Sequence, residues 1–413
     1  MISVHTSPLA TLGGTDAGGM NVYIRGLSCH LARRGWSVDI FTRRTSPDTV
    51  EQQTICPGVT VIAIDAGPPV PLDKDELFPL LPAFAEEMTR HKLRLGLRYD
   101  VVHAHYWLSG WTAHLIKRSW GTPFVQMFHT TSRLKAGSEP AKPELRADVE
   151  RRLVALADSI IAANPDERTD LIRRQGAPAA KTCTIPPGVD CQLFCPGDRL
   201  AARRSLSLPA HEPIVLFVGR IDPIKGIDTL LEALALLRAG TGPPPTLLLL
   251  GGDLGGDGAP MGPLADVQRQ VRSLGMDSAV VFAGAQPQDR LPAFYRAADV
   301  VAVPSRYESF GLVAVEALAC GTPVVASRTG GLPFIIDEER SGLLVPPNDP
   351  TALAAALRRV LLDRPLHDAL ASAAANSVQR FSWPTVADAI LGVYDRLVGG
   401  ERGDLCRDVE IHV

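Results

Sequence analysis

The chain has 413 residues and a mass of 44.3 kDa, enough for two or three domains at roughly 150 residues each. Hydrophobic residues make up 46% and charged residues 21%, which excludes a disordered chain, since disorder needs low hydrophobicity and high net charge. The net charge of -3, from 42 Lys and Arg against 45 Asp and Glu, argues against a nucleic-acid binder that works by neutralising phosphates. Any anion must therefore be gripped by a local site.

No apolar run reaches about 18 residues, the length a membrane-spanning helix needs. The opening Met1-Ile2-Ser3-Val4-His5 lacks a basic stretch followed by an apolar one, so it does not read as a signal peptide. Seven cysteines, an odd number spread over a large chain, read as ordinary thiols in a reducing cytoplasm. Cys183, Cys191 and Cys195 lie close in sequence but lack the paired spacing of a zinc site, so no metal is expected.

In chain order, strands are expected at 2–5, 36–42, 59–64, 101–105, 124–128, 159–162 and 182–185. Helix-period segments lie between them, near 19–34, 75–97, 108–118, 144–157 and 165–174. Apolar strands alternating with helices predict a parallel sheet covered on both faces. Pro186-Pro187-Gly188, Pro196-Gly197-Asp198 and Pro209 then mark a domain boundary. The alternation restarts with strands at 214–218, 246–250, 280–283, 300–303, 323–326 and 342–345. Helices are expected from the Lys225-Gly226 turn to about 238, near 263–274, 289–298, 310–319, 350–362 and 365–377, and finally at 384–398. The insert 251–262, with six Gly and two Asp, reads as a mobile surface loop. The expected fold is α/β, with two Rossmann-like, doubly wound parallel-sheet domains facing a cleft. Ligand loops lie at the carboxyl ends of such strands.

Three stretches carry chemistry. Gly13-Gly14-Thr15-Asp16-Ala17-Gly18-Gly19-Met20-Asn21 follows the first strand and opens the first helix, where small residues let backbone N–H groups approach an anion. Its spacing is neither GxGxxG nor a Walker loop, which weakens dehydrogenase and P-loop readings. Gly219-Arg220, followed by Lys225-Gly226, holds the corresponding place in the second half. Arg as a two-pronged donor and Lys as a point charge suit a diphosphate. Ser305-Arg306-Tyr307-Glu308-Ser309-Phe310-Gly311-Leu312 then opens a helix that carries Glu316. Glu308 is placed to touch a transferred group and Glu316 to accept hydrogen bonds from a ribose diol. Each element alone also fits a solvated surface.

Taken together, the Arg220 and Lys225 pair and the Glu308-to-Glu316 spacing resemble the retaining nucleotide-sugar glycosyltransferases of family 4, the glycogen-synthase-like class with the GT-B fold. The resemblance covers essentially the whole chain. It implies transfer of a sugar, N-acetylglucosamine or glucose, from a UDP-sugar with no obligatory cofactor. It implies a catalytic set of Arg220, Lys225, Glu308 and His129. It implies donor contacts at Gly19, Arg220, Lys225, Glu308, Phe310, Gly311, Leu312 and Glu316. The segments Val4–Leu9, Asp16–Tyr23 and His103–Gly110 are similar to members whose acceptor is an inositol phosphate such as 1D-myo-inositol 3-phosphate. That similarity implies an acceptor site of His5, Asp16, Gly18, Asn21, Lys74, Tyr106, Thr130 and Arg146. Gln286 stands where those members carry Arg. Lys74 alone would read as a solvated helix cation, and Tyr295 and Arg296 as packing and surface.

The implied division is an acceptor domain at 1–190, a nucleotide-sugar domain at 205–380 and a C-terminal helix segment at 381–413 that crosses back to the first. Glucosyl transfer to a sugar phosphate, as in sucrose-phosphate synthases, and a nucleotide-sugar epimerase on the same fold are the alternative functions. A homodimer is an open alternative to a monomer.

Overall fold

The computed structural model describes residues 1–10, 18–136, 144–240, 242–256, 258–401 and 403–411. The chain divides into two compact units, one holding Met1–Ala10, Gly19–Gly188 and the segment from Trp383 onward, the other holding Val189–Ser382.

In the first unit, β1 (Val38–Arg43), β2 (Gln52–Cys56) and β3 (Val59–Ile64) lie in the order β1-β3-β2. The strands β4 (Val102–His105), β5 (Phe124–Met127), β6 (Ser159–Ala162) and β7 (Thr182–Thr184) form a parallel set. The opening residues join the two sets, because Ile2 bridges both Phe41 and Ala104 in parallel. The expected strand at 2–5 is thus reduced to a single bridging residue. The sheet reverses its winding there: the chain moves outward through β1 and β3 on one side and β4 to β7 on the other.

Besides the one-turn helices Ser132–Ala136 and Leu332–Ile335, a strand and a longer helix escaped the sequence reading. β2 runs antiparallel on β3. Its exposed Gln-Gln-Thr face carries none of the apolar signal of a buried strand. The short helix Arg199–Ser205 lies inside the Pro-rich boundary and is capped by Asp198, whose side chain accepts from Leu200 and Ala201 N–H. Such a cap contributes about 1 kcal/mol.

The cysteine expectation is also corrected. Cys29 on helix Gly19–Ala32 is disulfide-bonded to Cys56 on β2, and Cys183 on β7 to Cys406 near the C-terminus. The pairing partners lie 27 and 223 residues apart, so only the fold brings them together. Cys191, Cys195 and Cys320 remain thiols. The wide spread of cysteines therefore gives no argument for a reducing compartment.

The segment around Cys406 also covers the free edge of β7. Leu405 N–H donates to Ala180 O and Ile411 N–H to Thr184 O, at 2.8 and 3.1 Å. The Glu410 carboxylate accepts from Thr184 N–H at 2.9 Å. Trp383 opens the last helix, Trp383–Val398, and its indole fills the space that a side chain on Gly26 or Gly188 would need.

The second unit is one six-stranded parallel sheet in the order β10-β9-β8-β11-β12-β13. Its strands are β8 (Ile214–Val218), β9 (Thr246–Leu250), β10 (Val280–Gly284), β11 (Val300–Val303), β12 (Val324–Ser327) and β13 (Gly342–Val345). The central strands are apolar on both faces because helices cover both. Ile227–Ala239 and Pro350–Leu362 bury Leu230, Leu234 and Leu357 completely. The chain winds outward from β8 to β10, returns, and winds the other way from β11 to β13, so the switch point lies between β8 and β11.

The insert after β9 was expected to be mobile. Its described residues carry short antiparallel pairing: Leu254 bridges Pro260, Gly255 N–H donates to Ala259 O at 2.7 Å, and Met261 N–H to Asp253 O at 2.9 Å. No helix among the described residues is long and apolar enough to cross a membrane.

Candidate active site

In open α/β sheets ligands settle where the winding reverses, at the carboxyl ends of the strands. Both of the second unit's sequence motifs fall there. The loop after β8 carries Arg220 and Lys225, and the loop after β11 carries Glu308. The two loops are locked backbone to backbone: Arg306 N–H donates to Ile224 O at 2.8 Å. Gly226 holds a left-handed φ of +67°, and a Cβ there would sit 2.1 Å from Pro304 O. A side chain at that position would push the loops apart.

The result is a direct ion pair. Lys225 Nζ donates to Glu308 Oε2 at 2.6 Å, with side chains 22% and 16% exposed. The pair is open enough to meet a ligand and shielded enough to matter electrostatically. Arg220 lies on the same loop, 39% exposed, with its Nη2 3.2 Å from Asp222 Oδ2. The Glu308 loop also rests on the loop after β12. Gly331 N–H donates to Glu308 O at 3.0 Å, and Gly330, at φ +52°, passes so close that a Cβ would reach 1.8 Å from the same oxygen.

Phe310 and Gly311 follow, and Leu312 starts the helix Leu312–Ala319. Gly311 N-caps it with φ 111°. Phe310 is buried against Phe381. Glu316, one turn further, is buried, and its Oε2 accepts from the Tyr295 hydroxyl at 2.7 Å. Burial pushes its carboxyl up to about 7, while hydrogen bonds from Tyr295 and Gln288 pull it down. Tyr295 thus packs as expected but has a polar duty as well, which the sequence did not reveal. Gln286 donates to Ala283 O at 2.6 Å. Arg296 donates to Cys195 O at 2.7 Å, away from these loops.

The first unit gathers its candidates at its own switch point. Tyr106 starts helix Tyr106–Trp120 directly after β4, with φ +76°. His129, after β5, has φ +59°. Histidine tolerates this region better than most residues, but the bulky Tyr106 holds strain there, of the kind that clusters at functional sites. The Arg146 guanidinium lies 4.8 Å over the Tyr106 ring and donates to Thr130 O at 2.7 Å and to Glu150 Oε1 at 2.7 Å. The Thr130 hydroxyl oxygen is buried without a hydrogen-bond partner among the described residues. The His5 ring packs tilted against Tyr106, with ring centres 4.5 Å apart. Asn21, on helix Gly19–Ala32, donates to Thr6 Oγ1 and Ser7 O, at 2.9 and 2.6 Å, and so fixes the loop that bears His5.

Tyr106, Thr130, Arg146 and His5 are therefore brought together. Lys74 is exposed at the first position of helix Lys74–Leu77, whose continuation stacks Phe78 on Trp107 at 5.6 Å. Gly18 and Gly19 stand at the start of the first helix, and Asp16 lies outside the described residues. Arg146 is less available than a bare cation, since Glu150 already pairs with it.

The histidines form a buried column. His105 Nδ1 lies 3.1 Å from His129 Nε2, and His103 Nδ1 lies 2.6 Å from the Tyr394 hydroxyl of the last helix. Burial holds His129 down at about 3 and His103 and His105 well below the usual histidine range. The column is neutral at physiological pH. It can orient hydrogen bonds but cannot act as a cation. Among the described residues no group of three or more His, Cys, Asp and Glu could hold a metal ion.

Two doubly wound parallel sheets, with a cationic loop and a carboxylate loop flanking one switch point, define a nucleotide-sugar glycosyltransferase of the GT-B fold. The chain belongs to the family 4 glycosyltransferases: residues 17–193 match the family model described as Glycosyltransferase Family 4, and residues 198–377 match that of Glycosyl transferases group 1. It is similar to the D-inositol 3-phosphate glycosyltransferase of Saccharomonospora viridis, at 43% identity over 98% of this chain and 95% of that protein. The protein of the same name from Kineococcus radiotolerans is 44% identical over 98% and 97%. Among solved structures, sucrose-phosphate synthase from Thermosynechococcus elongatus matches with a TM-score of 0.89 and 37% identity, covering 97% of this chain and 98% of that one.

Proposed function

We propose that the chain transfers N-acetylglucosamine or glucose from a UDP-sugar to D-inositol 3-phosphate, with retention at the anomeric carbon. The observation that carries the acceptor reading is the cluster of Tyr106, Thr130 and Arg146. There a guanidinium and an unpartnered hydroxyl adjoin a strained aromatic residue at the sheet's switch point. Two hydroxyls and a cation suit a phosphate better than a neutral sugar. Relatives 43% and 44% identical bear the matching name.

On this reading the loops of the second unit hold the donor. Lys225 and Arg220 offset the charge that grows on the leaving diphosphate, and preorganised electrostatics of this kind is usually the largest catalytic contribution. The start of helix Leu312–Ala319 adds N–H dipoles. Glu308, once Lys225 turns to the diphosphate, accepts from the sugar's hydroxyls, and Glu316 from the ribose. Among the described residues the site does not offer the pair of facing carboxylates that retaining glycosidases have. The acceptor hydroxyl attacks the anomeric carbon from the side the diphosphate leaves, and a departing phosphate oxygen takes its proton. A bond to the acceptor oxygen forms as the bond to the diphosphate breaks.

A second reading is glucosyl transfer to fructose 6-phosphate, favoured by the 37% identity to a sucrose-phosphate synthase. A screen of UDP-, GDP- and ADP-sugars against inositol 3-phosphate, fructose 6-phosphate and phosphoglycerates, with products weighed by mass spectrometry, separates the two. Turnover with inositol 3-phosphate and none with free inositol supports the first reading. Turnover with fructose 6-phosphate alone replaces it with the second. Light scattering on the same sample reads the copy number, a doubled mass supporting a homodimer.

A further inference from the structure

Arg306 sits in the Ser305–Leu312 stretch two residues before Glu308, and its contacts reach well beyond that loop. Its Nε donates to Asn348 Oδ1 at 2.7 Å, its Nη2 to Asp228 Oδ2 at 2.5 Å, and its Nη1 to Pro223 O. Its own N–H donates to Ile224 O at 2.8 Å, and its carbonyl accepts from the Thr329 hydroxyl at 3.2 Å. Pro223, Ile224 and Asp228 belong to the loop and helix start after β8. Thr329 follows β12, and Asn348 follows β13. One residue of the β11 loop thus ties four loops at the carboxyl edge of the sheet.

We propose that Arg306 is a positioning residue for the transfer, holding Lys225 and Glu308 in register without touching the substrate. The geometry gives the reason. Pro223 O and Ile224 O lie two and one residues before Lys225, and Glu308 lies two residues after Arg306. A guanidinium presents its donors in a rigid planar fork, so it fixes the distance between the two loops as well as their contact. Lysine could keep the Asp228 ion pair but could not hold Pro223, Asp228 and Asn348 at once. Arg306 is 26% exposed and Asp228 44%, so the ion pair contributes little to folding in itself. What the fork supplies is alignment of the groups that stabilise the leaving diphosphate, and small misplacements of such groups cost rate steeply.

The inference rests on the donor-site reading above. The test measures UDP affinity by calorimetry, transfer from UDP-N-acetylglucosamine to inositol 3-phosphate, donor hydrolysis without acceptor, and thermal unfolding. The variants are Arg306→Ala, Arg306→Lys, Asp228→Asn, Lys225→Ala and the Arg306→Ala, Lys225→Ala double. Arg306→Ala is expected to lower kcat for transfer and for hydrolysis about 30- to 100-fold, with acceptor KM within threefold of wild type and the melting temperature little changed. Arg306→Lys should recover part of the rate, and Asp228→Asn should lose about threefold to tenfold. In the Lys225→Ala background, Arg306→Ala should add less than threefold, because its effect passes through Lys225. Should Arg306→Ala fail to fold, the Asp228→Asn result and the partial rescue by Lys carry the test. Wild-type rate in folded Arg306→Ala, or losses that simply multiply in the double variant, would overturn the positioning role and leave the donor site standing. Wild-type rate in Lys225→Ala would overturn both.

Discussion

The Tyr295 hydroxyl donates to Glu316 Oε2 across 2.7 Å, joining helix Leu291–Ala297 to the helix that caps the β11 loop. Burial holds the carboxyl at about 7 against that hydrogen bond. Glu316 is therefore balanced between two charge states near neutrality. A ribose diol donating to it would favour the ionised state. UDP should then bind the deprotonated form, with affinity rising up to tenfold per pH unit below about pH 7 and flattening above it. Calorimetry in buffers of different ionisation enthalpy should register proton release on binding at pH 6. Glu316→Gln should abolish the release and weaken binding by about 1–3 kcal/mol. A pH-independent affinity in wild type would detach Glu316 from the nucleotide.

The same shift has a sign for folding. A carboxyl whose folded value is raised from 4.5 to about 7 favours the folded state fully below its unfolded value. That advantage is lost as pH climbs through 7. Without ligand, Glu316→Gln should therefore be more stable than wild type at pH 8 and nearly equal to it at pH 4.5, as read by denaturant midpoints at the two pH values.

Lys225 and Glu308 are 2.6 Å apart and should separate in kinetics despite that contact. Lys225→Ala and Arg220→Ala should each lower kcat by roughly 10²–10³, the scale of losing one donor to a developing oxyanion. Glu308→Gln should mainly lower kcat while UDP affinity changes little, since it is placed toward the sugar. Steady-state kinetics with separate UDP titrations check this. An effect of Glu308→Gln confined to UDP affinity would exchange its role with that of Glu316.

The strands of both sheets were legible because parallel strands buried on both faces read as unbroken apolar runs, as in Ile214–Val218 and Thr246–Leu250. The donor motifs were legible because each sits next to a strand end and is contiguous in sequence. What stayed hidden depends on partners far apart in the chain. Tyr295 and Glu316 belong to different helices. Arg306 gains its contacts only once four loops converge. Cys183 and Cys406 are separated by 223 residues. β2 was silent because an exposed edge strand has no apolar face to announce it. The acceptor residues could be carried over one by one, yet that Glu150 already occupies Arg146 is a fact of packing.

The histidine column predicts an acid limit to stability. His129 is held down at about 3, and His103 and His105 also lie well below the usual range. The unfolded chain takes up protons at these positions near pH 6.5 while the folded protein does not. Their contribution is thus complete above about pH 6.5 and drains away as pH falls toward 3. Melting temperature should decline steadily from pH 6.5 to 4.5, and His103→Gln should flatten the slope. An unchanged slope would place the acid sensitivity elsewhere.

The last prediction concerns how to probe the acceptor. Arg146 looks like the natural target, but its Nε pairs with Glu150, which is only 2% exposed in its side chain. Removing one partner of a buried pair costs about 3–5 kcal/mol because the other is left uncompensated. Ser132 N–H and its hydroxyl, at 2.9 and 2.6 Å from Glu150 Oε2, soften that cost without removing it. Arg146→Ala should therefore lower stability and acceptor use together, and cannot tell the two apart. Thr130 is the cleaner probe. Its hydroxyl oxygen has no partner among the described residues, so Thr130→Val breaks no hydrogen bond among them and keeps the side-chain shape. The variant should unfold within about 0.5 kcal/mol of wild type, the range of a change that breaks nothing. If the hydroxyl meets the acceptor phosphate, kcat/KM for inositol 3-phosphate should fall about tenfold or more, the loss expected for a hydrogen bond to a charged group. Donor hydrolysis without acceptor should stay unchanged, because the group acts on acceptor binding alone. Wild-type kcat/KM in Thr130→Val would remove this hydroxyl from the acceptor site and leave Tyr106 and Arg146 to account for phosphate recognition.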